Sequence, residues 1–137
     1  MIAPPAPEMV FRQVHPNHWD GKNPNSVAFS PMPKDKDLLS VDDASLATAE
    51  GSWTHFTKNL GFRSAGTWAI THIEIITSGN LALKSDPITD QADRAKNNAA
   101  HCLIDFPKVT SKGEKRRCAQ KLALLASARG CQFQPTA

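Results

Sequence analysis

The chain has 137 residues, of which 40% are hydrophobic and 21% charged, and its formal net charge is +3. These values are typical of one soluble globular domain, and so small a charge does not by itself indicate a nucleic-acid partner. The sequence has no run of about 18 apolar residues, so we expect no membrane-spanning helix and no membrane partner. We predict a cytoplasmic protein.

The N-terminal residues differ in composition from the rest of the chain. Residues 1–8 hold three prolines and are predicted to form an extended leader, and residues 9–137 are predicted to form a single domain. The cysteines are odd in number and show no CxxC spacing, which argues against a disulfide framework or a structural zinc site: Cys102, Cys118 and Cys131. We therefore predict free thiols and no cofactor.

The first elements of the domain are predicted to be short strands. Residues 9–15 alternate between two faces, and Pro16 ends this strand because proline cannot donate to a ladder. Turn-forming residues fill 16–25, which we expect to be a loop. Residues 26–30 and 38–41 are predicted as a second and a third strand, joined by a polar connector.

A helix is predicted over about 48–59. Thr48 is a suitable N-cap, Glu50 suits the first turn, and Gly61 stands where a C-cap glycine belongs. One apolar stripe follows helical spacing along this segment: Ala49, Trp53, Phe56 and Leu60.

Strands and helical segments alternate through the second half of the chain. Residues 67–72 indicate a strand that leads into a short helical turn, and residues 81–84 indicate a further strand. The polar stretch 86–98 is the longest predicted loop. Residues 100–106 give the clearest strand, and residues 131–133 are predicted as a last short strand.

The last helix has clear boundaries. Ser111 and Glu114 have the spacing of a capping box, and Gly130 closes a helix over about 112–129. The elements together predict an α+β fold, in which a small, mostly antiparallel sheet of short strands packs against two main helices, at about 48–59 and 112–129.

A dense group of ionisable and aromatic side chains follows the first strand: His15, His18, Trp19 and Asp20. Two imidazoles and a carboxylate at this spacing can reach one metal ion. The motif lies in a loop with no second ligand cluster nearby, so we predict no metal site. The alternative to a metal site is a loop that is packed by Trp19 and has solvated histidines. Trp19 and Asp20 remain candidate binding residues.

Arg12 lies inside the first strand between Val10 and Val14. An arginine in this position must be paired or must meet an anion, and its planar fork suits phosphate. The alternative is a salt bridge to one of four nearby acids: Asp20, Asp42, Asp43 or Glu50.

Three residues on different predicted elements form a second pattern: Arg12 and Ser40 on strands and Glu74 further along the chain. Their order resembles the Arg–Ser–Glu arrangement of ADP-ribosyltransferase folds. The resemblance implies that arginine holds a dinucleotide, that serine supports the nicotinamide pocket and that glutamate stabilises an oxocarbenium-like transition state. It covers these three residues alone.

His55 and His101 are the other candidates for acid–base chemistry, on the predicted first helix and at the start of the clearest strand. Cys102 is expected to face the core, on the opposite face from His101, so we do not expect a Cys–His pair.

The charged side chains are segregated along the sequence. Acidic residues concentrate over 34–50 and basic residues over 108–121. On the last helix, Lys112, Lys115 and Arg116 form a basic face that suits nucleic-acid phosphates, with a solvated helix face as the alternative.

Two functions compete. The leading hypothesis is a small non-catalytic accessory or regulatory protein that acts through a protein partner, such as a bacterial toxin-neutralising or defence factor, since the chain is short and lacks strong enzyme motifs and its charges are segregated. The alternative is a small enzyme acting on a nucleotide or nucleic-acid substrate, ADP-ribosyltransferase-like or phosphate-processing.

In the enzyme, Arg12, His15 and His18 bind phosphate and His55 or His101 supplies acid–base catalysis. Such a site brings Arg12 together with at least two histidines around a concave pocket. A binding module leaves these residues apart and exposes an apolar or charged patch.

Overall fold

A five-stranded antiparallel sheet forms the centre of the computed structural model, which describes residues 6–32, 36–106 and 111–136. Its strands are β1 (Met9–Val14), β2 (Leu38–Asp43), β3 (Gly66–Thr71), β4 (Ala82–Ser85) and β5 (His101–Asp105). The order across the sheet is β3-β1-β2-β5-β4. Every neighbouring pair among these described strands is antiparallel.

The helices complete an α+β fold, as predicted. They are α1 (Ala49–Thr54), which continues as a π-helical turn over His55–Asn59, α2 (His72–Thr77) and α3 (Lys112–Arg129). Short 3-10 turns occupy Pro16–His18, Ser26–Phe29 and Arg94–Lys96.

Both predicted main helices are confirmed, and their ends follow the local sequence. The Thr48 hydroxyl accepts a hydrogen bond from the Gly51 amide at 2.9 Å, and the Ser111 hydroxyl accepts one from the Glu114 amide at 3.1 Å. Gly61 and Gly130 follow the helices with φ angles of +76° and +94°, which an L side chain rarely adopts.

The two faces of the sheet differ in chemistry. One face packs against α3 through a buried apolar cluster: Val10, Val14, Leu39, Val41, Trp68, Ile70, Cys102, Ile104, Leu122 and Ala126. Because side chains alternate along a strand, Phe11, Gln13, Ser40, Asp42 and His101 share the opposite face. This second face carries the polar groups.

The predicted strand over 26–30 is wrong. Ser26–Phe29 forms a 3-10 turn, because the Asn25 side chain accepts a hydrogen bond from the Val27 amide at 3.0 Å and the Ser30 hydroxyl donates to the Ser26 carbonyl at 2.8 Å. The turn still buries Phe29, as expected for a large apolar side chain. The last predicted strand is reduced to one bridge between Thr67 and Phe133.

The beginning of the chain is partly described. Residues 1–5 of the predicted leader lie outside the described residues, as does the connector over 33–35. Ala6 packs against the core, and the Glu8 carbonyl accepts a hydrogen bond from the His72 amide at 2.9 Å. Residues 107–110, which include Pro107 and Lys108, also lie outside.

All three cysteines are free thiols, and Cys102 faces the core as expected. Burial raises the pKa of the Cys102 thiol to about 11, so it stays protonated and unreactive at neutral pH. Across the described parts of the chain, no helix combines the length and apolar character that crossing a membrane requires.

Glu74 is predicted to contribute charge-dependent stability. The Arg129 Nη1 and Nη2 atoms donate hydrogen bonds to the two carboxylate oxygens of Glu74, at 2.8 and 3.0 Å. These bonds lower the pKa of Glu74 below the ordinary value of 4.5. Glu74→Gln should therefore lower the free energy of unfolding by about 1 kcal/mol at pH 7. Urea denaturation against pH measures this difference.

The sign of the pH dependence follows from the lowered pKa. The stabilisation by Glu74 is complete above pH 4.5 and is lost as the pH falls through the lower pKa of the folded state. Wild type and Glu74→Gln should therefore converge in acid. Glu8→Gln is the control, since Glu8 is exposed. A difference that persists unchanged in acid would contradict this account.

Candidate functional site

The polar face of the sheet forms the floor of a cleft with a volume of about 300 Å³. One wall is the π-helical turn with the residues after it, and the other is the loop between β4 and β5. The apolar lining is Phe11, Val41, Phe56, Leu60, Phe62 and Ile88. The polar and charged lining is Arg12, Gln13, Ser40, Asp42, His55, Asp90, Lys96, Asn98 and His101. A cleft that combines apolar surface with convergent polar groups is typical of small-molecule sites.

Ser40 and His101 meet on the floor of the cleft. They lie on the adjacent strands β2 and β5, where Ser40 is registered with Leu103 and Asp42 with His101, so the two side chains are diagonal neighbours on one face. The His101 Nε2 atom lies 3.1 Å from the Ser40 Oγ atom. The other ring nitrogen, Nδ1, lies 3.1 Å from the Asp86 Oδ2 atom and 2.9 Å from the Asp86 backbone oxygen.

These contacts determine where the neutral His101 ring carries its proton. Both groups that face Nδ1 accept hydrogen bonds and cannot donate, so Nδ1 carries the hydrogen. The Nε2 atom therefore has a free lone pair, and the Ser40 hydroxyl donates to it. The Ser40 residue is exposed, whereas the His101 side chain is 12% exposed. A largely buried imidazole thus accepts a hydrogen bond from an accessible hydroxyl.

Asp42 lies on the same floor and contacts both walls. Its Oδ2 atom accepts a hydrogen bond from the Ser52 hydroxyl at 2.6 Å, and its Oδ1 atom accepts one from the Asn98 side-chain amide at 2.8 Å. Ser52 belongs to a buried polar network, since its hydroxyl accepts from the Gln13 side chain at 2.9 Å. The same Gln13 amide donates to Thr67.

His55 and Lys96 add hydrogen-bond donors to the cleft lining. The Asn59 side-chain nitrogen lies 3.2 Å from the His55 Nδ1 atom. Because an amide nitrogen donates, His55 accepts at Nδ1 and carries its own proton on Nε2. The two histidines of the cleft therefore have opposite tautomers, one able to accept a proton and the other able to donate a hydrogen bond.

Arg12 fills a gap in the sheet. Strands β1 and β2 pair at two positions, Val10 with Asp43 and Phe11 with Asp42. Beyond them the Arg12 side chain donates to the Ala28 carbonyl at 2.8 Å and to the Ser40 carbonyl at 2.9 Å. Arg12 thus replaces missing ladder bonds and holds the backbone of Ser40 in place.

The conservative change Arg12→Lys should lower the free energy of unfolding by about 1–3 kcal/mol, because one ammonium cannot reproduce a planar fork that reaches two carbonyls. Urea denaturation measures the loss. Arg63→Lys is the matched control, since Arg63 is exposed, and it should change little. Equal stability of the two variants would show that the bridge to Ala28 and Ser40 contributes nothing.

The loop after β1 is a separate feature. The His15 and His18 ring centroids lie 5.3 Å apart, and burial, His15 and Arg12 together lower the pKa of His18. Trp19 packs edge-on against Trp68, with a centroid distance of 6.0 Å, as the alternative interpretation of this loop predicted. His15, His18 and Trp19 lie outside the cleft lining in the described structure.

Asp20 stabilises the turn that follows. Its Oδ1 atom accepts hydrogen bonds from the Asn23 and Lys22 amides at 2.7 and 2.8 Å, which lowers the pKa of the carboxyl group. Within residues 6–32, 36–106 and 111–136, no three His, Cys, Asp or Glu side chains lie together in a way that would hold a metal ion.

The two charged stretches contact each other. The Lys115 Nζ atom lies 3.0 Å from the Asp37 Oδ2 atom, so one basic and one acidic side chain form an intramolecular pair. Lys112 and Arg116 remain exposed on α3. A nucleic-acid role for this face stays a prediction.

Glu74 lies on α2, away from the lining of the cleft. Its side chain accepts from the Thr71 amide at 2.8 Å, which completes a capping box, and it binds Arg129. Arg12 and Ser40 are neighbours through the Ser40 carbonyl. Of the three residues that carry the ADP-ribosyltransferase resemblance, Glu74 therefore has a local structural role.

The structure brings together three of the predicted site residues, Arg12, His55 and His101, with Ser40, which the sequence indicated only through the ADP-ribosyltransferase resemblance. It adds others that sequence reasoning missed as site residues: Asp42, Asp86, Lys96 and Asn98. The missing signal was strand order, because Ser40 and His101 meet once β2 is known to pair with β5. Comparison with protein-family models, with curated proteins and with solved structures gives no match to this chain.

Proposed function

We propose that this protein is a small serine hydrolase that cleaves esters carrying a small apolar or aromatic group. Ser40 is the nucleophile, His101 is the general base and Asp86 orients the imidazole. The observation that carries the proposal is the continuous hydrogen-bonded series Ser40–His101–Asp86, with the tautomer that proton abstraction requires. Ser40 and His101 of this series line the cleft. Such a triad is recognised by geometry and not by fold.

The proposed reaction has two halves. The Ser40 Oγ atom attacks the ester carbonyl carbon while its proton passes to the His101 Nε2 atom, and a tetrahedral oxyanion forms. The intermediate collapses, the bond to the leaving oxygen breaks, and that oxygen takes the proton from His101. Water then attacks the acyl-serine with His101 again as base, which releases the acid and restores the Ser40 hydroxyl.

The rest of the cleft suits this reaction. His55 and Lys96 supply donors of the kind that stabilise a developing oxyanion. Phe11, Phe56 and Phe62 offer apolar surface for the substrate, and a volume of about 300 Å³ fits a small ligand. The lining also joins Arg12 with two histidines, the arrangement that favours an enzyme over a binding module.

A fluorophosphonate probe tests the proposal without knowledge of the natural substrate. The Ser40 Oγ atom should attack phosphorus and expel fluoride, which adds one phosphonyl group to the intact mass. Ser40→Ala should remain unlabelled, whereas Ser127→Ala, which alters a serine on α3 outside the cleft, should label like wild type. Absence of label on the wild-type protein, or label on a residue other than Ser40, would refute the proposal.

Binding to a protein partner is the second candidate function. It is favoured by exposed apolar side chains on α2, where Ile73 is 73% and Ile76 is 50% exposed. Tagged wild type recovered from its native host should carry a stoichiometric partner that Ile73→Lys loses. Recovery of the protein alone, together with ester turnover, would remove this candidate, including its accessory role in a toxin-neutralising or defence system.

A further inference from the structure

We propose that Asp42 is a positioning residue that fixes the width of the cleft, and that its bond to Asn98 thereby sets the size of ester group that the site accepts. The inference rests on the proposed hydrolase function for its meaning. The structural part of the inference is that the Asp42 carboxylate holds both walls of the cleft. This part can be tested by hydrogen exchange, without any measurement of enzyme turnover.

The first wall is held through Ser52. The Ser52 hydroxyl donates to the Asp42 Oδ2 atom at 2.6 Å, and Ser52 is 2% exposed. Ser52 lies on α1, which runs directly into the π-helical turn that supplies His55 and Phe56 to the cleft. The position of this turn over the sheet therefore depends on the contact between Ser52 and Asp42.

The second wall is held through Asn98. Its side-chain nitrogen donates to the Asp42 Oδ1 atom at 2.8 Å, and its backbone exchanges two hydrogen bonds of 2.9 Å with Ile88. Ile88, Asp90 and Lys96 of this loop all line the cleft. Between residues 88 and 98, most described side chains are exposed, so few apolar contacts hold the loop down.

The hydrogen bonds of Asp42 with Ser52 and Asn98 are stronger than ordinary surface contacts. Each ends on a carboxylate oxygen, and hydrogen bonds to a charged acceptor are stronger than those between neutral groups. Asp42 lies two residues beyond Ser40 on β2 and is registered with His101. The group that holds the walls is thus on the same two strands as the proposed reacting groups, but it is not part of the Ser40–His101–Asp86 series.

Asn98→Ala is the primary test, with Asn80→Ala as the matched control because Asn80 is exposed and lies outside the cleft lining. Hydrogen exchange followed by mass spectrometry should show the amides of residues 88–98 exchanging about 10-fold faster in Asn98→Ala. The ratio of kcat/KM for p-nitrophenyl octanoate over p-nitrophenyl acetate should rise. Exchange equal to that of wild type would overturn the inference.

A second variant isolates the hydrogen-bond donor. Asn98→Asp keeps the size of the side chain but replaces the N–H donor by a carboxylate that faces Asp42, so residues 88–98 should exchange at least as fast as in Asn98→Ala. Exchange at the wild-type rate would contradict the assigned contact.

The test separates the two proposals. If the wild-type protein hydrolyses no ester, the hydrolase proposal fails, and the affinity of the cleft for the apolar dye 1-anilinonaphthalene-8-sulfonate replaces the selectivity ratio. Faster exchange with changed dye affinity in Asn98→Ala then still supports the role of Asp42 in holding the walls. Faster exchange with unchanged selectivity or dye affinity would show that the loop does not set the width.

Discussion

Replacement of Ser40 by alanine is expected to lower kcat for p-nitrophenyl ester hydrolysis by about 10³-fold or more, with a small effect on stability. The hydroxyl is the proposed bond-forming group, and no neighbouring side chain in the Ser40–His101–Asp86 series can replace it. Because Ser40 is exposed, water can donate to the His101 Nε2 atom in the variant, so the fold loses little. Steady-state kinetics and urea denaturation measure the two quantities.

Variants of the other two groups make the assignment more specific. His101→Gln should lose about as much activity as Ser40→Ala, because the effects of residues that act as a unit are not additive. Asp86→Asn should cost much less, on the order of 10-fold, since the Asp86 backbone oxygen, 2.9 Å from Nδ1, still fixes the tautomer. Turnover by Ser40→Ala at the wild-type rate would eliminate the proposed nucleophile.

Phe29→Ala is expected to lower the free energy of unfolding by about 3–5 kcal/mol. Phe29 is 0% exposed, and it lies in the 3-10 turn Ser26–Phe29, which packs against α3. Its removal loses the transfer free energy of the ring and leaves a cavity that the surrounding strands and helix cannot fill. The midpoint of urea denaturation at constant m-value reports the loss.

Phe62→Ala is the matched control for this prediction. Phe62 is 57% exposed on the rim of the cleft, where its ring lies 5.1 Å from that of Phe56. The same chemical change there should cost about 1 kcal/mol or less. Equal losses in the two variants would contradict the placement of the Ser26–Phe29 turn in the core.

Local sequence was sufficient to predict most of the elements. The helix beginning at Thr48, the α3 boundaries at Ser111 and Gly130, and the alternation of β1 follow from interactions between residues a few positions apart. The turn at 26–29 was missed because its apolar pair Ala28 and Phe29 reads equally well as a strand. The Asn25 cap, which decides between them, is a weak local signal.

The candidate site shows where sequence reasoning stops. Arg12 was identifiable as an unusual residue in a strand and His101 as a candidate for acid–base chemistry, but the partner of each is far away in the chain. Ser40 lies 61 positions from His101, and Arg12 donates to the carbonyl 28 positions after it. Periodicity within one segment carries no information about which strand lies beside it.

The sequence by itself therefore determined the α+β class, the capped ends of both main helices, the side-chain alternation of β1 and the core-facing side of Cys102, because capping and alternation are short-range properties of the chain. Tertiary structure alone decided the strand order β3-β1-β2-β5-β4, which sets Ser40, Asp42 and His101 on one floor and leaves a gap that Arg12 spans. Strand order depends on the packing of the whole core against α3, so it belongs to no single segment of the chain.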